Sequence, residues 1–280
     1  MFLVLGLWWS VMSSPVWFVV QLALALAAAG AAPLIARCPA AVWRTVAAVS
    51  FVLLLGWPLL RVFPVQTISL LGPEIVAHTE FTGLAVPAAL FFGIVARHVP
   101  RPGDARAIYA VLVLAGVYFV KAGWWMVGPG VPDLGPGKRS SIDPTLCMQT
   151  TDYTCVPASM VTLLTRRGVE ATETEMARLA MTEVGSGTTD SRAILALRRK
   201  LAGTGMLVTY RQLTAQELIS APKPCLVQLD WGYFISHMVP VLEATAERVT
   251  IGDPLAGTRS MFMADFVKQW KGQAIVVEGP

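Results

Sequence analysis

Residues 149–159 read Gln149-Thr150-Thr151-Asp152-Tyr153-Thr154-Cys155-Val156-Pro157-Ala158-Ser159. Their pattern predicts a helix that begins at Cys155 and runs to about Arg167, where Gly168 ends it. Pro157 suits the first turn of such a helix, where no backbone donor is missed. A cysteine at that position has helix-terminal amides pointing at its sulfur, a field that favours the thiolate. Cys155 is therefore the candidate nucleophile. The competing reading is a small buried apolar residue, the ordinary fate of a lone cysteine.

A nucleophilic thiolate needs a base, and residues 138–280 contain one histidine, His237. It is placed at the start of a strand over 237–243. The next strand, 247–252, runs into the turn Gly252-Asp253-Pro254. An antiparallel hairpin of the two brings the start of one beside the end of the other, so Asp253 can orient the imidazole of His237. The acyl intermediate carries charge on an oxygen and needs donors. Gln149 can offer its side-chain amide, and the Cys155 backbone N–H is the second candidate. The plainer readings are a hydrogen-bonded strand histidine, a turn aspartate and a surface glutamine.

The run from Gln149 to Ser159 resembles the opening motif of the peptidase C39 family, the papain-like, double-glycine-type bacteriocin-processing peptidases and their relatives. The segments His237-Met238-Val239-Pro240-Val241 and Ile251-Gly252-Asp253-Pro254 resemble that family's His and Asp motifs in the same order. Phe266, Trp270 and Gly272 resemble its closing pattern. The resemblance covers about residues 145–280. It implies a papain-like cysteine peptidase with Cys155 as nucleophile, His237 as base, Asp253 as its orienter and Gln149 as oxyanion donor. The substrate implied is a peptide or exported precursor, with a secretion system as a partner. Two positions depart from the family: Val156 stands where glycine is usual, and Thr154 where the bacteriocin-processing members commonly have Asp. No Walker A motif occurs, so ATP is not expected as a partner. Two rivals stay open: another papain-like amidase or acyl-transferase, and an inactive C39-like binding module, which Val156 alone favours.

Around that motif the C-terminal half reads as α+β. Further helices are expected at about 173–181, 190–202, 214–219 and 263–270. Thr172 with Glu175, and Thr214 with Glu217, are capping-box signals. Strands are expected at about 206–211, 225–230, 237–243, 247–252 and 273–278. The stretch Gly185-Ser186-Gly187 reads either as a cleft wall or as an ordinary helix-entry loop. Cys147 and Cys225 read either as a disulfide tying the linker to a central strand or as two separate thiols. The four cysteines include no CxxC pair, and no metal or cofactor is expected.

The N-terminal half is of a different kind. Hydrophobic residues make up 55% of the chain and charged residues only 14%, well below the ~25% of a soluble domain. The imbalance sits in residues 1–127. Four stretches, about 16–36, 42–60, 81–98 and 107–127, qualify as spanning helices, which need roughly 20 mostly apolar residues. The expectation is an all-α transmembrane bundle of about four helices over 1–127, a Gly/Pro-rich linker over 128–144 and the peptidase domain over 145–280. Residues 1–13 read as an extension of the first helix with a kink near Pro15. A cleaved signal peptide is disfavoured because no Lys or Arg precedes the apolar run.

Arg37 and Arg44 fall in the first loop, and Arg97, Arg101 and Arg106 in the third, against the single acid Asp104. Both loops therefore read as cytoplasmic. Four spans then place the peptidase domain on the periplasmic side of a bacterial inner membrane. Glu74 and His78, four residues apart and near Glu80, have the spacing of a metal pair on a helix, but a solvated loop is the plainer reading. The formal charge of +4 is spread out, and no basic patch with interleaved aromatics points to nucleic acid.

Overall fold

A computed structural model describes residues 14–60, 62–80, 82–128, 130–231 and 236–279. The chain divides into two compact units, Met1–Gly128 and Pro129–Pro280. The expected extension of the first helix over 1–13, and Arg61, lie outside the described residues.

The N-terminal unit holds helices α1 (Ser14–Ile35), α2 (Ala40–Leu60), α3 (Pro64–Leu71), α4 (Pro73–Thr79), α5 (Ala85–His98) and α6 (Pro102–Gly123), followed by a 3-10 turn at Trp124–Met126. Among the described residues, three segments are long and apolar enough to cross a membrane: Ser14–Ile35, Ala40–Leu60 and Pro102–Met126. The stretch expected as a third span, 81–98, holds a shorter apolar helix among the described residues. Its helix is the 14-residue Ala85–His98, about 21 Å long at ~1.5 Å per residue, short of a hydrocarbon core about 30 Å thick. Pro15 lies at the beginning of the described part of α1, so the expected kink falls at the edge of the described residues.

Four helices still pass between the two ends of this unit. At one end Ser14 of α1 meets His78 of α4, and Gly123 of α6 sits against the Phe18 ring. At the other end Trp43 of α2 stacks on His98 of α5, ring centroids 3.8 Å apart. Small residues set the close approach of α1 and α5, since a Cβ on Gly93 would lie 2.7 Å from the Ala32 Cβ. Two short helices, α3 and α4, fill the connection between α2 and α5. Each begins with proline at its first position, where the missing N–H costs nothing.

The C-terminal unit contains β1 (Lys138–Arg139), β2 (Cys147–Met148), α7 (Cys155–Arg166), α8 (Glu173–Leu179), α9 (Asp190–Lys200), β3 (Leu207–Gln212), α10 (Ala215–Ser220), β4 (Cys225–Asp230), β5 (Ser236–Ala244), β6 (Arg248–Asp253), β7 (Gly257–Phe262), α11 (Met263–Gln269) and β8 (Trp270–Glu278). Helices lead and strands follow, giving the α+β unit expected. Six strands form one antiparallel sheet in the order β3-β8-β4-β5-β6-β7. Val227, Val239, Ile251 and Val276 of its strands bury against Leu218 of α10 and Phe266 of α11. Helix α7 packs on β4, β5 and β6.

Part of the segment expected as linker is folded within this unit. β1 pairs antiparallel with β2, and the Leu134 N–H donates to Thr174 Oγ1 at 2.8 Å. The edge strand β7 has no counterpart among the expected strands. Its sequence, Gly257-Thr258-Arg259-Ser260-Met261-Phe262, lacks the apolar alternation that marks a half-buried strand.

Candidate active site

Helix α7 begins at Cys155 with Thr154 as its N-cap, as the motif predicts. Thr154 is fully buried and does not cap with its side chain. Its hydroxyl instead donates to the Thr151 carbonyl and accepts the Thr151 N–H, both at 3.1 Å. The chain is thereby folded into a closed turn that delivers Cys155 to the helix start. Cys155 is the first helical residue, so its N–H has no intrahelical acceptor. Val156 occupies the first turn of α7 and is buried. Its φ is negative, since Met181 is the one described non-glycine residue with positive φ. The backbone at 156 therefore makes no demand for glycine.

His237 and Asp253 meet as the hairpin argument requires. His237 Nε2 lies 2.9 Å from Asp253 Oδ1, with 5% and 1% of the side chains exposed. The imidazole also lies near enough to Cys155 for the sulfur to act on the charge of the ring, and with Nε2 committed to Asp253 the nitrogen left to face the sulfur is Nδ1. One ring thus lies between the cysteine at the head of α7 and the aspartate at the end of β6. Burial of His237 acts to lower its pKa. The bond to Asp253 and the interaction with Cys155, with the negative charge of each, more than offset this and raise it to about 9. Burial likewise acts to raise the pKa of Asp253. The His237 bond, the N–H groups of Leu255 and Ala256 and the imidazolium charge outweigh it and hold the carboxyl below its usual value. Both N–H groups donate to Oδ1, at 2.9 and 3.3 Å, and Arg259 Nη1 reaches Oδ2 at 3.2 Å.

Gln149 follows β2 directly. Its side-chain Nε2 donates to the Thr151 carbonyl at 2.7 Å, which uses one amide hydrogen and leaves one. Reversing the amide would set two carbonyl oxygens against each other, so the Thr151 contact fixes which way it points. Gln149 Oε1 is buried with no hydrogen-bond partner among the described residues.

Four contributors have no role assigned to them by the sequence motifs. Trp231 directly follows β4 and stacks on the His237 ring, centroids 4.0 Å apart and planes 29° apart. It is found only once the β4–β5 register is known, with Leu229 opposite His237. Arg259 lies on β7, the strand not foreseen. Glu173 is wholly buried and accepts the Thr150 N–H at 2.9 Å and the Thr150 hydroxyl, pinning the loop before Cys155 to α8. Ser159, one turn beyond Cys155, donates to the Met238 carbonyl at 2.8 Å.

The remaining candidates resolve as follows. Cys147 and Cys225 are buried free thiols; burial raises the first to about 12 and the second to about 11, so neither is poised as a nucleophile. Gly187 comes near the turn before the nucleophile, where a Cβ would be 3.4 Å from the Tyr153 carbonyl. No group of three metal-ligating side chains occurs among the described residues. His78 is buried, bonded to the Glu74 carbonyl at 2.7 Å and stacked on Trp17.

Residues 144–280 match the model of the Peptidase C39 family. An uncharacterized protein of Methanothermobacter thermautotrophicus is 28% identical over 138 residues, 49% of this chain and 91% of that protein. The probable functional amyloid protease FapD of Pseudomonas aeruginosa is 27% identical over 138 residues, 48% of this chain and 60% of FapD. Among solved structures, the peptidase domain of Streptococcus ComA, a bi-functional ABC transporter, aligns over 48% of this chain and 96% of that domain, with 20% identity and TM-score 0.43. A double glycine motif protease from an AMS/PCAT transporter aligns over 52% and 95%, with 18% identity and TM-score 0.40.

Proposed function

We infer, from the membership of residues 144–280 in the Peptidase C39 family, that the chain is a membrane-anchored cysteine peptidase acting on a peptide or exported precursor. The reading rests on one observation: the His237 imidazole, bonded to Asp253 at 2.9 Å, lies near enough to Cys155 for the two to interact. In this account the Cys155 thiolate attacks the scissile carbonyl carbon. The oxyanion is received by the free amide hydrogen of Gln149 and the Cys155 N–H. The His237 imidazolium gives its proton to the departing amine. Neutral His237 then takes a proton from water, whose oxygen attacks the thioester and frees the acid and the thiolate. Asp253 keeps the ring oriented through both steps.

The membrane reading is supported by the apolar segments and by where the arginines fall. The Trp43–His98 stack puts the first and third loops at one end of the N-terminal unit. Arg37, Arg44, Arg97, Arg101 and Arg106 all belong to those loops or their flanking helix ends. That end is the cytoplasmic one by the distribution of basic residues. In this reading helix α6 runs to the opposite end, and the chain that follows it lies outside the cytoplasm.

Two experiments test this. The purified full chain, incubated with a mixed peptide library, should generate new peptide termini that the Cys155→Ala protein does not; identical products from both would remove the enzyme reading. A phosphatase reporter fused after Pro280 should be active outside the cytoplasm, and cytoplasmic activity would reverse the topology.

A further inference from the structure

Helix α7 packs mainly through apolar side chains, with Val156, Met160, Val161, Leu163 and Leu164 all buried. Two hydroxyls interrupt that apolar set. Ser159 and Thr162 are fully buried, and with Cys155 they fall at the i, i+4 and i+7 positions of one helix face. Each is bonded to a different strand. Ser159 Oγ donates to the Met238 carbonyl at 2.8 Å, one residue after His237. Thr162 Oγ1 accepts the Cys147 N–H at 2.9 Å, two residues before Gln149, and donates to the Ala158 carbonyl at 3.1 Å.

The first bond lies where β5 is paired with β4 but not with β6. The β5–β6 register runs from Val241↔Ile251 to Ala244↔Val249 and stops short of the His237 end of β5. Pro240 has no N–H to continue a ladder there. Apolar contact alone is non-directional and tolerates a sliding helix, whereas a hydrogen bond weakens steeply with distance and angle.

We propose that Ser159 and Thr162 are positioning residues that set two separate distances of the reaction, Ser159 that between Cys155 and His237, and Thr162 that between Cys155 and the oxyanion donor Gln149. The inference rests on the peptidase reading of the same site. A misplacement of about 1 Å is enough to cost on the order of a hundredfold in rate, so loss of either bond should be visible in kinetics.

The two roles separate with two probes on the full chain in detergent micelles. Iodoacetamide alkylation of Cys155, read by peptide mass mapping, needs the thiolate and His237 but no oxyanion donor. Acetylation by p-nitrophenyl acetate needs both. In that reaction the sulfur bonds the carbonyl carbon, the ester C–O bond breaks, and its electron pair leaves with p-nitrophenolate. Ser159→Ala should slow both reactions at least tenfold, and Ser159→Thr, which keeps the hydroxyl, should recover to within threefold. If the alanine protein does not fold, Ser159→Cys, of similar size but with a weaker donor, should show the same loss. Thr162→Val should slow acetylation at least tenfold while alkylation changes less than twofold. Rates within twofold of wild type in Ser159→Ala or Thr162→Val, or equal losses of both reactions in Thr162→Val, would overturn the proposal. Wild-type alkylation indifferent to His237→Ala would instead remove the peptidase reading beneath it.

Discussion

The backbone N–H of Gln149 donates to the carbonyl of Pro254 at 2.9 Å. The residue offered as oxyanion donor is therefore fastened to the turn that carries Asp253, although 104 positions separate Gln149 from Asp253 in the chain. One backbone hydrogen bond thereby ties the loop before the nucleophile to the turn after β6. If the Gln149 amide receives the developing charge, Gln149→Ala should slow acetylation by p-nitrophenyl acetate by about a hundredfold or more. Alkylation by iodoacetamide, which builds no oxyanion, should be nearly unaffected. Stopped-flow measurement of p-nitrophenolate release checks this.

The raised pKa of His237 sets the sign of the pH dependence. Its protonated form is favoured in the folded protein up to about 9, against 6.5 for an ordinary imidazole. The stabilisation that goes with the imidazolium is complete below 6.5 and disappears as pH rises through 9. Peptide hydrolysis should accordingly fall on the alkaline side near pH 9. Asp253→Asn keeps the shape and removes the charge, so the alkaline limb should move down toward 6.5. A pH–rate series on the two proteins measures it.

Arg259 reaches the second oxygen of Asp253, but its side chain is 52% exposed. A half-exposed pair of this kind contributes at most about 1 kcal/mol, and less in salt. Arg259→Gln should reduce the rate less than fivefold at low ionic strength, and the difference should shrink in 0.5 M salt. Hydrolysis rates at two salt concentrations decide the point.

Glu173 has no exposed surface and holds the Thr150 amide and hydroxyl. Glu173→Ala leaves the Thr150 N–H without its acceptor and releases the loop that carries Gln149. The expected cost is about 2–3 kcal/mol of stability, read as a lower urea midpoint. Acetylation should be slowed more than alkylation.

The parts of the fold that local chemistry announces were legible. Thr172 accepts the Glu175 N–H, and Thr214 and Glu217 close a complete capping box, so α8 and α10 begin where their caps stand. Cys155, His237 and Asp253 were legible because the C-terminal half offers one histidine, and hairpin geometry forces its partner. The features that were missed depend on tertiary register. Trp231 reaches His237 only because of how β4 pairs with β5, and β7 forms on backbone pairing with β6 from an exposed, polar stretch. The third apolar stretch was read too long because hydropathy does not see that Gly83 is pressed against the Trp57 ring, where a Cβ would lie 2.7 Å from it. The helix starts two residues later, at Ala85.

The most direct test of the account is the rate at which iodoacetamide alkylates Cys155 between pH 6 and 10, in the wild-type protein and in His237→Ala. An ordinary thiol ionises near about 8.5 and reacts slowly at pH 6.5. The wild type should react at least tenfold faster than His237→Ala at pH 6.5, and the gap should close as pH rises past 9. Equal rates across the whole range would contradict the Cys155–His237 pair and the mechanism built on it.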